Sequence, residues 1–328
     1  MLNLQELSFC SSNFDRAAHL RKEKTSHKLD SIGKTLILWR GKPLIDENNL
    51  KLVFLPLNHE ILSQSQTSRI FLGQSKGTDY FAHDISDWEP SSLEPANPSS
   101  FLDDSTQHHP SLQKHQRFND LRLIMTQLPA EDAGLVSTAK ALFSWHKSHQ
   151  FCAKCGHKSV SSQAGWQRDC STCSSPHYPR TDPVVIMLIT DGNNLLLGRS
   201  PHWPEKMYSC LAGFIEPGET LEAAVAREVK EETNIEIGSV RYVMSQPWAF
   251  PTSLMFGCIA SATSHQITID PIELDDAIWV SKETLVKAYS GIDVGILPAR
   301  QGAIAEFLIR NWVKGTLVNE CQTKRDEL

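Results

Sequence analysis

The 328-residue sequence lacks long hydrophobic runs and lacks an excess of basic charge. Its longest uninterrupted apolar run, Val184 to Ile189, is far shorter than the roughly 20 residues that a membrane-spanning helix needs. No membrane partner is therefore expected. Acidic residues outnumber basic ones, 38 against 32, which gives a net charge of −6. This balance argues against a protein built around a wide basic surface for DNA, although it is compatible with a local basic groove.

The sequence also lacks a recognisable secretory signal, because its first thirty residues carry charges throughout and contain no apolar core. The last four residues, 325–328, read Arg-Asp-Glu-Leu and resemble an endoplasmic reticulum retention signal. Without a predicted entry signal, that location is not favoured. Four of the eight cysteines follow a metal-binding pattern, which favours a reducing compartment. We expect a cytoplasmic location, with the peroxisome as the alternative.

The first part of the chain has the pattern of an α+β domain, assigned to residues 1–148. Short apolar runs at 35–39 and 50–55 predict strands, with a turn at 40–43 between them. Proline and serine are frequent between 90 and 111, which predicts a flexible insertion. Residues 116–148 have helical spacing. We find no internal repeat.

The second part of the chain alternates strand and helix patterns and is predicted to be of the α/β class. The apolar run at 184–189 predicts a buried strand, and the turn residues 191–194 predict a hairpin. Further strands are expected near 240–244, 254–261 and 277–280, and helices near 281–290 and 299–314. The predicted boundaries are 149–178 for a cysteine-rich module, 179–315 for this domain and 316–328 for a tail.

Two Cys-x-x-Cys pairs lie between these parts: Cys152 with Cys155, and Cys170 with Cys173. Each pair directs two thiolates to one point, and four thiolates complete a closed tetrahedral zinc site. We therefore expect one structural Zn²⁺, because no coordination position stays open for chemistry. Free or disulfide-bonded cysteines are the less favoured interpretation, and nucleic-acid binding by such a zinc ribbon is an open alternative.

The segment 213–232 carries several acidic residues on one predicted helix. Pro217 and Gly218 predict a turn, and the helix is expected to begin near Thr220. Glu228 and Glu232 lie four residues apart, so their carboxylates share one helix face, where like charges repel. A solvated acidic face is the plain explanation. Carboxylates after a glycine-containing loop also suit Mg²⁺ or Mn²⁺ holding a phosphate-containing substrate.

The complete string resembles the Nudix box, G-x5-E-x7-R-E-U-x-E-E-x-G-U. One position departs from it, because Asn234 stands where the family has glycine, and asparagine tolerates the left-handed conformation best after glycine. The matching residues are Gly213, Glu219, Arg227, Glu228, Val229, Glu231, Glu232 and Ile235.

Two further features are similar to the zinc-ribbon NADH pyrophosphatases of this superfamily, some of which remove the NAD cap from RNA. Residues 245–253 resemble the signature S-Q-P-W-P-F-P-x-S, with Ala249 in place of a proline. A zinc ribbon directly before Tyr178-Pro179-Arg180 is also typical of them. Residues 14–21 resemble the start of eukaryotic-type members more weakly.

The resemblance implies a Nudix α/β/α sandwich with a mixed sheet, preceded by the zinc ribbon and the N-terminal α+β domain. Glu228, Glu231 and Glu232 are the implied catalytic carboxylates, and Arg227 is expected to position them. The implied ligands of two or more Mg²⁺ or Mn²⁺ ions are Ala212 through its backbone carbonyl, Glu228, Glu232 and Glu273.

The implied substrate is a dinucleotide, NADH or NAD⁺, cleaved at its pyrophosphate bond to nicotinamide mononucleotide and AMP. NAD-capped RNA presents the same bond, and a homodimer is also implied. Trp248 and Phe250 are expected to offer flat faces to the bases, with core packing as their alternative role. The implied substrate-binding residues are Tyr178, Gln246, Pro247, Trp248, Ala249, Phe250, Pro251, Thr252, Ser253 and Ala305.

Two other functions remain open from the sequence. The first is a Nudix pyrophosphatase for ADP-ribose or diadenosine polyphosphates, which substrate competition would distinguish. The second is a non-catalytic nucleotide sensor acting through the zinc ribbon. Degraded box glutamates would support a sensor, and the complete set therefore disfavours it.

Overall fold

The computed structural model describes residues 6–10, 14–25, 33–93 and 101–317. The predicted tail beyond 317, including the Arg-Asp-Glu-Leu terminus, lies outside these ranges. The chain forms two compact units. One contains residues 8–181 together with 248–252, and the other contains residues up to 7, 182–247 and those from 253 onward. Within the described residues, no helix combines the length and the hydropathy required to cross a bilayer.

The N-terminal unit begins with the short helix α1 and a seven-stranded mixed sheet. Strand β1 pairs in parallel with β6 and antiparallel with β2, and aromatic residues such as Trp39 and Phe118 fill the core beside it. Two helices follow the sheet in the sequence: α2, with four residues, and α3, with nineteen. The bounds are α1 Arg21–Lys24, β1 Gly33–Trp39, β2 Lys42–Asp46, β3 Lys51–Leu52, β4 Leu55–Pro56, β5 Ile70–Ser75, β6 Thr78–Asp84, β7 Gln116–Phe118, α2 Leu121–Ile124 and α3 Ala130–Ser148.

Three expectations for this unit are corrected. The turn predicted at 40–43 is confined to Arg40 and Gly41, which both have positive φ, so β2 already begins at Lys42. The strand predicted at 50–55 is interrupted between β3 and β4. The helix predicted from 116 begins later, because residues 116–118 pair with β2 as strand β7.

The described end of the insertion predicted at 90–111 is anchored to this sheet. Residues 94–100 lie outside the described ranges. Beyond them, Lys42 Nζ lies 2.7 Å from Asp103 Oδ2 and donates to the Ser105 carbonyl oxygen. His109 is buried against the Trp88 ring, with 4.5 Å between the ring centroids. Residues 103–109 therefore contact the sheet, and the flexibility expected of the insertion stays a prediction.

The cysteine-rich module of the N-terminal unit is a small antiparallel sheet of three strands. Residues 14–25 pack against it: the Arg21 guanidinium carbon lies 3.7 Å and the Arg16 guanidinium carbon 5.5 Å from the centre of the Trp166 ring. These contacts give the Phe14–Arg21 segment a structural role. The strands are β8 Ser159–Ser162, β9 Gln167–Cys170 and β10 Pro176–His177.

The second unit is a mixed six-stranded sheet between helices. The long central strand β11 pairs antiparallel with β13 along its first half and with β12 near its end, while β15 runs parallel to it. The bounds are β11 Asp182–Asp191, β12 Asn194–Arg199, β13 Leu211–Phe214, α4 Leu221–Thr233, β14 Arg241–Trp248, β15 Ser253–Ser261, β16 Asp276–Ser281, α5 Lys282–Tyr289 and α6 Ile304–Val313.

Helices α4 and α6 cover opposite faces of this sheet. Cys258 of β15 belongs to the cluster that contains Val225 and Val229 of α4. A Cβ on the neighbouring Gly257 would instead meet Ile304 and Leu308 of α6. Because successive residues of a strand point to opposite faces, the two helices sandwich the sheet. The predicted α/β/α sandwich is confirmed.

Candidate functional site

Helix α4 carries the acidic box, and its ends follow the rules for helix capping. The Thr220 hydroxyl accepts a hydrogen bond from the Ala223 amide at 3.2 Å and so begins the helix. Asn234 ends it in the left-handed conformation, with φ 60°. The residue that departs from the family pattern therefore performs the capping role expected of the glycine.

Three carboxylates from two segments meet at one point. Glu228 and Glu232 lie on the buried face of α4, with 8% and 5% of their surfaces exposed, and Glu273 is exposed. Each of the three offers an oxygen within 4.8 Å of the others. Hard oxygen donors gathered this closely suit a divalent cation such as Mg²⁺ or Mn²⁺. The described residues that could hold such an ion therefore include three of the four ligands implied by the sequence.

Glu231 does not belong to this cluster. Its carboxylate is largely exposed and lies 2.9 Å from the Arg227 guanidinium. The structure places Glu231 beside Arg227 and Glu273 with Glu228 and Glu232, and the expected catalytic role of Glu231 stays a prediction.

The β13 backbone touches the cluster at Gly213. A Cβ built there would collide with the Glu228 carboxyl group. Only glycine leaves space for that carboxylate against the strand. Ala212, whose carbonyl is the fourth implied ligand, directly precedes Gly213 and pairs with Ile186 of β11.

Arg227 connects the loop, the strand and the helix of the box. It forms a two-bond pair with Glu219 at 2.8 and 2.9 Å and donates to the Phe214 carbonyl oxygen. It also donates to Glu228 at 2.8 Å. With the bond to Glu231, these contacts use all five guanidinium N–H groups. The structure agrees with the expectation that Arg227 positions the glutamates.

Burial and mutual repulsion oppose ionisation of the clustered carboxylates. Burial, together with the charges of Glu228, Glu273 and Glu231, raises the pKa of Glu232 to about 8. Burial also raises the pKa of Glu228, although the bonds from Arg227 oppose that effect. A bound divalent cation would relieve this repulsion. The donor set is therefore electrostatically suited to such an ion.

Glu273 is positioned by the turn that carries it. The Asp270 amide donates to the Glu232 carbonyl oxygen at 3.1 Å, and the Asp270 carboxylate accepts from the Ile272 amide at 2.8 Å. The Glu273 amide in turn donates to the Asp270 carbonyl oxygen. The turn is thus fixed to the end of α4, which explains how Glu273 reaches Glu228 and Glu232 from a distant part of the sequence.

Replacement of Gly213 by alanine is expected to reduce turnover roughly a hundredfold, because the added methyl group displaces the Glu228 carboxylate. Steady-state kinetics with Mg²⁺ or Mn²⁺ titration measures the effect. Gly238→Ala is the matched control, since Gly238, like Gly213, does not have positive φ, and a Cβ there would make only ordinary van der Waals contacts. Equal losses in the two variants would contradict the proposed role of Gly213.

Replacement of Glu232 by glutamine is expected to stabilise the metal-free protein. Because burial and the neighbouring carboxylates raise the folded-state pKa of Glu232 to about 8, above its ordinary value of 4.5, its stabilising contribution is complete only below about pH 4.5 and is lost as the pH rises through 8. The variant should gain on the order of 2 kcal/mol near pH 8 and less at pH 6. Thermal unfolding in EDTA at both pH values measures it; a gain independent of pH would contradict the assignment.

The four predicted zinc ligands also converge. Their sulfur atoms lie within 4.8 Å of one another, with 3.6 Å between Cys152 and Cys173 and 3.4 Å between Cys155 and Cys170. Bonds of about 2.3 Å to a tetrahedral ion would place sulfur atoms nearly this far apart. The His177 ring nitrogen lies 3.2 Å from the Cys152 sulfur, where it can support the ligand. The cluster fits one structural zinc.

The two cysteine turns share one geometry. The Gly156 amide donates to the Cys152 carbonyl oxygen at 2.8 Å, and the Ser174 amide donates to the Cys170 carbonyl oxygen at 2.9 Å. Both residues after the second cysteine have positive φ, 75° for Gly156 and 57° for Ser174. The sequence predicted only the first backbone reversal, because glycine favours positive φ and serine does not.

The segment 246–253 differs from the expected substrate-contacting loop. Gln246 is fully buried; its amide donates to the Gly302 carbonyl oxygen and accepts from the Ile304 amide, both at 2.8 Å. Ala249 and Thr252 are buried as well. Direct side-chain contact with a substrate is therefore not supported for these three residues, and Gln246 instead fixes the start of α6.

Trp248 and Phe250 pack against each other edge to face, with 5.1 Å between their ring centroids. Each also lies edge-on to Phe9, a buried residue that the sequence did not indicate. The alternative of core packing is thus supported for part of both rings. The remaining residues expected at the substrate are placed as follows: Tyr178, Pro247 and Pro251 exposed, Ser253 half-buried at the start of β15, and Ala305 buried in the first turn of α6.

One exposed aromatic side chain within the box, Phe214, was not singled out by the sequence analysis. Phe214 follows Gly213 in β13 and is 58% exposed, although its carbonyl oxygen is held by Arg227. Because a Cβ on Gly213 would point at the Glu228 carboxylate and successive strand residues point to opposite faces, the Phe214 ring lies on the face of β13 away from that carboxylate. The sequence signal was present, since Phe214 lies inside the box.

Comparison with known families and proteins agrees with this architecture. Residues 180–298 match the family described as NUDIX domain, residues 33–145 match the NADH pyrophosphatase-like rudimentary NUDIX domain, and residues 147–178 match the NADH pyrophosphatase zinc ribbon domain. The three matches follow one another along the chain in the predicted order.

Several curated proteins are similar to this chain. The NAD-capped RNA hydrolase NUDT12 of Homo sapiens is 41% identical over 201 residues, covering 58% of this chain and 44% of its own length. The mitochondrial NAD(P)H pyrophosphatase NUDT13 of Homo sapiens is 38% identical over 230 residues, covering 66% and 65%.

The NAD-capped RNA hydrolase NudC of Salmonella heidelberg is 40% identical over 190 residues, covering 57% of this chain and 70% of its own length. The chain spans less than half the length of the NUDT12 protein that it matches. The shared domains, the box and the coverage of the NudC protein establish the relationship. The chain belongs to the Nudix hydrolase superfamily and, within it, to the zinc-ribbon NADH pyrophosphatase subfamily.

Proposed function

We propose that this chain hydrolyses the pyrophosphate bond of NADH and NAD⁺, releasing the corresponding nicotinamide mononucleotide and AMP, and that it also removes the NAD cap from RNA. The observation that carries the proposal is the meeting of Glu228, Glu232 and Glu273 beside Gly213. The names of the relatives, NAD-capped RNA hydrolase and NAD(P)H pyrophosphatase, support the substrate class.

The side chains of the box support an attack of water on phosphorus. Mg²⁺ or Mn²⁺ held by Glu228, Glu232 and Glu273 would neutralise pyrophosphate oxygens and make water more acidic. In the hydrolysis, the water oxygen forms a new P–O bond while the bridging P–O bond breaks. Glu228 or Glu232 accepts the water proton, and the leaving phosphate receives a proton. Arg227 holds Glu228 in a fixed orientation through this exchange.

Other parts of the proposal rest on the sequence resemblance. A homodimer, a cytoplasmic location and the presence of two or more divalent ions all belong to this group. The four-cysteine cluster has no open ligand position, so the zinc contributes to folding and takes no part in the reaction. Size-exclusion chromatography with light scattering would test the dimer directly.

The decisive experiment is product analysis with purified protein and Mg²⁺ or Mn²⁺. Equimolar NADH, NAD⁺, ADP-ribose, diadenosine tetraphosphate and NAD-capped RNA are supplied together, and products are separated by chromatography. Preferential release of reduced nicotinamide mononucleotide and AMP supports the proposal. Preferential cleavage of ADP-ribose or diadenosine tetraphosphate would assign the other Nudix activity, and no cleavage at all would identify a nucleotide-binding protein.

A further inference from the structure

The end of helix α4 and the segment that carries Glu273 share their backbone hydrogen bonds. The last carbonyl groups of a helix have no partner within the helix itself. Here the Thr233 carbonyl oxygen accepts from the Thr268 amide at 2.9 Å, and the Glu232 carbonyl oxygen accepts from the Asp270 amide at 3.1 Å. The segment that carries one carboxylate of the cluster therefore completes the hydrogen bonding of the helix that carries the other two.

The chain is fixed again directly after Glu273. Leu274 is 4% exposed and belongs to the same hydrophobic cluster as Val229 of α4. The Asp275 amide donates to the Arg199 carbonyl oxygen, at the end of β12, at 2.9 Å. Because the backbone is held on both sides, the direction of the Glu273 side chain depends on the short turn that joins these two anchors.

The Asp270 carboxylate closes that turn. Its Oδ1 atom accepts a hydrogen bond from the Ile272 amide at 2.8 Å, and the Asp270 carbonyl oxygen accepts from the amides of Glu273 and Leu274 at 3.2 and 2.9 Å. An aspartate that accepts from the amide two residues later forms an Asx turn, in which the side chain mimics a backbone carbonyl. Ile272 is 84% exposed, so packing of its side chain contributes little to holding the turn.

Asp270 is not a member of the carboxylate cluster. Among the residues that the structure describes, the carboxylate oxygens that meet within 4.8 Å belong to Glu228, Glu232 and Glu273. The Asp270 Oδ1 atom is instead engaged by the Ile272 amide. An effect of this hydrogen bond on a bound ion therefore passes through Glu273.

We infer that Asp270 is a positioning residue for the divalent-cation site. Its side chain closes the turn that holds Glu273 beside Glu228 and Glu232, and it raises the affinity for the ion without binding the ion. This inference rests on the proposed function, because it assumes that the three carboxylates hold Mg²⁺ or Mn²⁺. It adds to the site a side chain that lies outside the Nudix box.

Two replacements separate the hydrogen bond of Asp270 from its charge. Asparagine loses the charge but keeps a side-chain oxygen that accepts the same bond, whereas alanine loses both. We expect Asp270→Ala to raise the Kd for Mn²⁺ roughly tenfold, the low end of the range for residues that orient metal ligands. Asp270→Asn should stay within about twofold of the wild type, because the turn is kept.

The affinity is measured on the full, zinc-loaded chain without substrate, from the electron paramagnetic resonance signal of free Mn²⁺. Hydrogen exchange of the metal-free protein provides a second measurement, in which Asp270→Ala should speed exchange in the peptide that contains the Ile272 amide. In NADH hydrolysis, the Mn²⁺ concentration for half-maximal rate should rise by the same factor as the Kd. The kcat at saturating Mn²⁺ should change less.

Asp275→Ala is the matched control. Asp275 is exposed and lies in the same segment, so this variant removes the same charge while keeping the Asx turn and the backbone bond to Arg199. Its Kd for Mn²⁺ should equal that of the wild type. If Asp270→Ala does not fold, Asp270→Glu takes its place, because the longer side chain keeps the charge but displaces the acceptor from the turn. The same loss of affinity is expected.

The outcomes distinguish the positioning role from the proposed function. A wild-type chain that neither binds Mn²⁺ outside the zinc site nor cleaves NADH overturns the proposed function. A wild-type chain that does both, with an unchanged Kd in Asp270→Ala, overturns only the positioning role. Equal losses in Asp270→Ala and Asp270→Asn would also overturn it, because they would show that Asp270 acts through its charge.

Discussion

Glu228→Gln is expected to lower NADH turnover on the order of a thousandfold, equivalent to about 4 kcal/mol of transition-state stabilisation. The amide has nearly the shape of the carboxylate but cannot supply its charge to a divalent cation or accept a proton. The carboxylate lies against Gly213 with little exposed surface, so water cannot replace it without rearrangement. Initial rates at saturating NADH and Mg²⁺ or Mn²⁺ measure the loss.

Glu222→Gln provides the matched control. Glu222 lies in the first turn of the same helix and is exposed, so its amide variant should keep nearly full turnover. Thermal unfolding should show that Glu228→Gln folds normally. Near-wild-type turnover in that variant would show that the three-carboxylate cluster is not the reaction centre.

Loss of one zinc ligand is expected to have the largest effect on stability. Structural zinc sites contribute on the order of 10 kcal/mol to folding, and Cys152→Ser removes one of four thiolates from a buried cluster. We expect loss of bound zinc and a strongly lowered melting temperature of the N-terminal unit. Metal analysis and thermal unfolding, each with and without a chelator, measure the two effects.

The control for this variant is Cys10→Ser, which changes a partly buried thiol outside the cluster. Its zinc content should equal that of the wild type. If Cys152→Ser kept the wild-type melting curve and chelation also left that curve unchanged, the cluster would not be a structural zinc site. An unchanged curve after chelation alone would show only that the ion is not accessible to the chelator.

The sequence was most informative where the chemistry depends on short spacing. The two cysteine pairs and the pair Glu228 and Glu232 each lie within one turn of backbone, so their convergence follows from local geometry. Glu273 is different. It reaches the cluster through a turn fixed to the Glu232 carbonyl oxygen, and no periodicity in the sequence predicts that long-range contact.

The sequence was least informative about the tertiary contacts that individual residues make. Gln246 lies in a recognised signature, yet its amide completes the hydrogen bonding of the segment before α6. The predicted turn at 40–43 was also too long, because the turn contains only Arg40 and Gly41. Arginine and lysine on either side of one glycine do not show where a turn ends and a strand begins. In both cases tertiary pairing determined the outcome, and local residue preference did not.

The path of the chain through its two units limits how the protein can be cut into separately expressed fragments. Residues 248–252 come late in the sequence but belong with residues 8–181, so no single cut separates two complete pieces. A fragment ending at 181 would lack the rings of Trp248 and Phe250 that contact Phe9. A fragment beginning at 182 would carry those rings without their partner. Co-expression of both fragments, rather than either alone, is the rational route to a dissected protein.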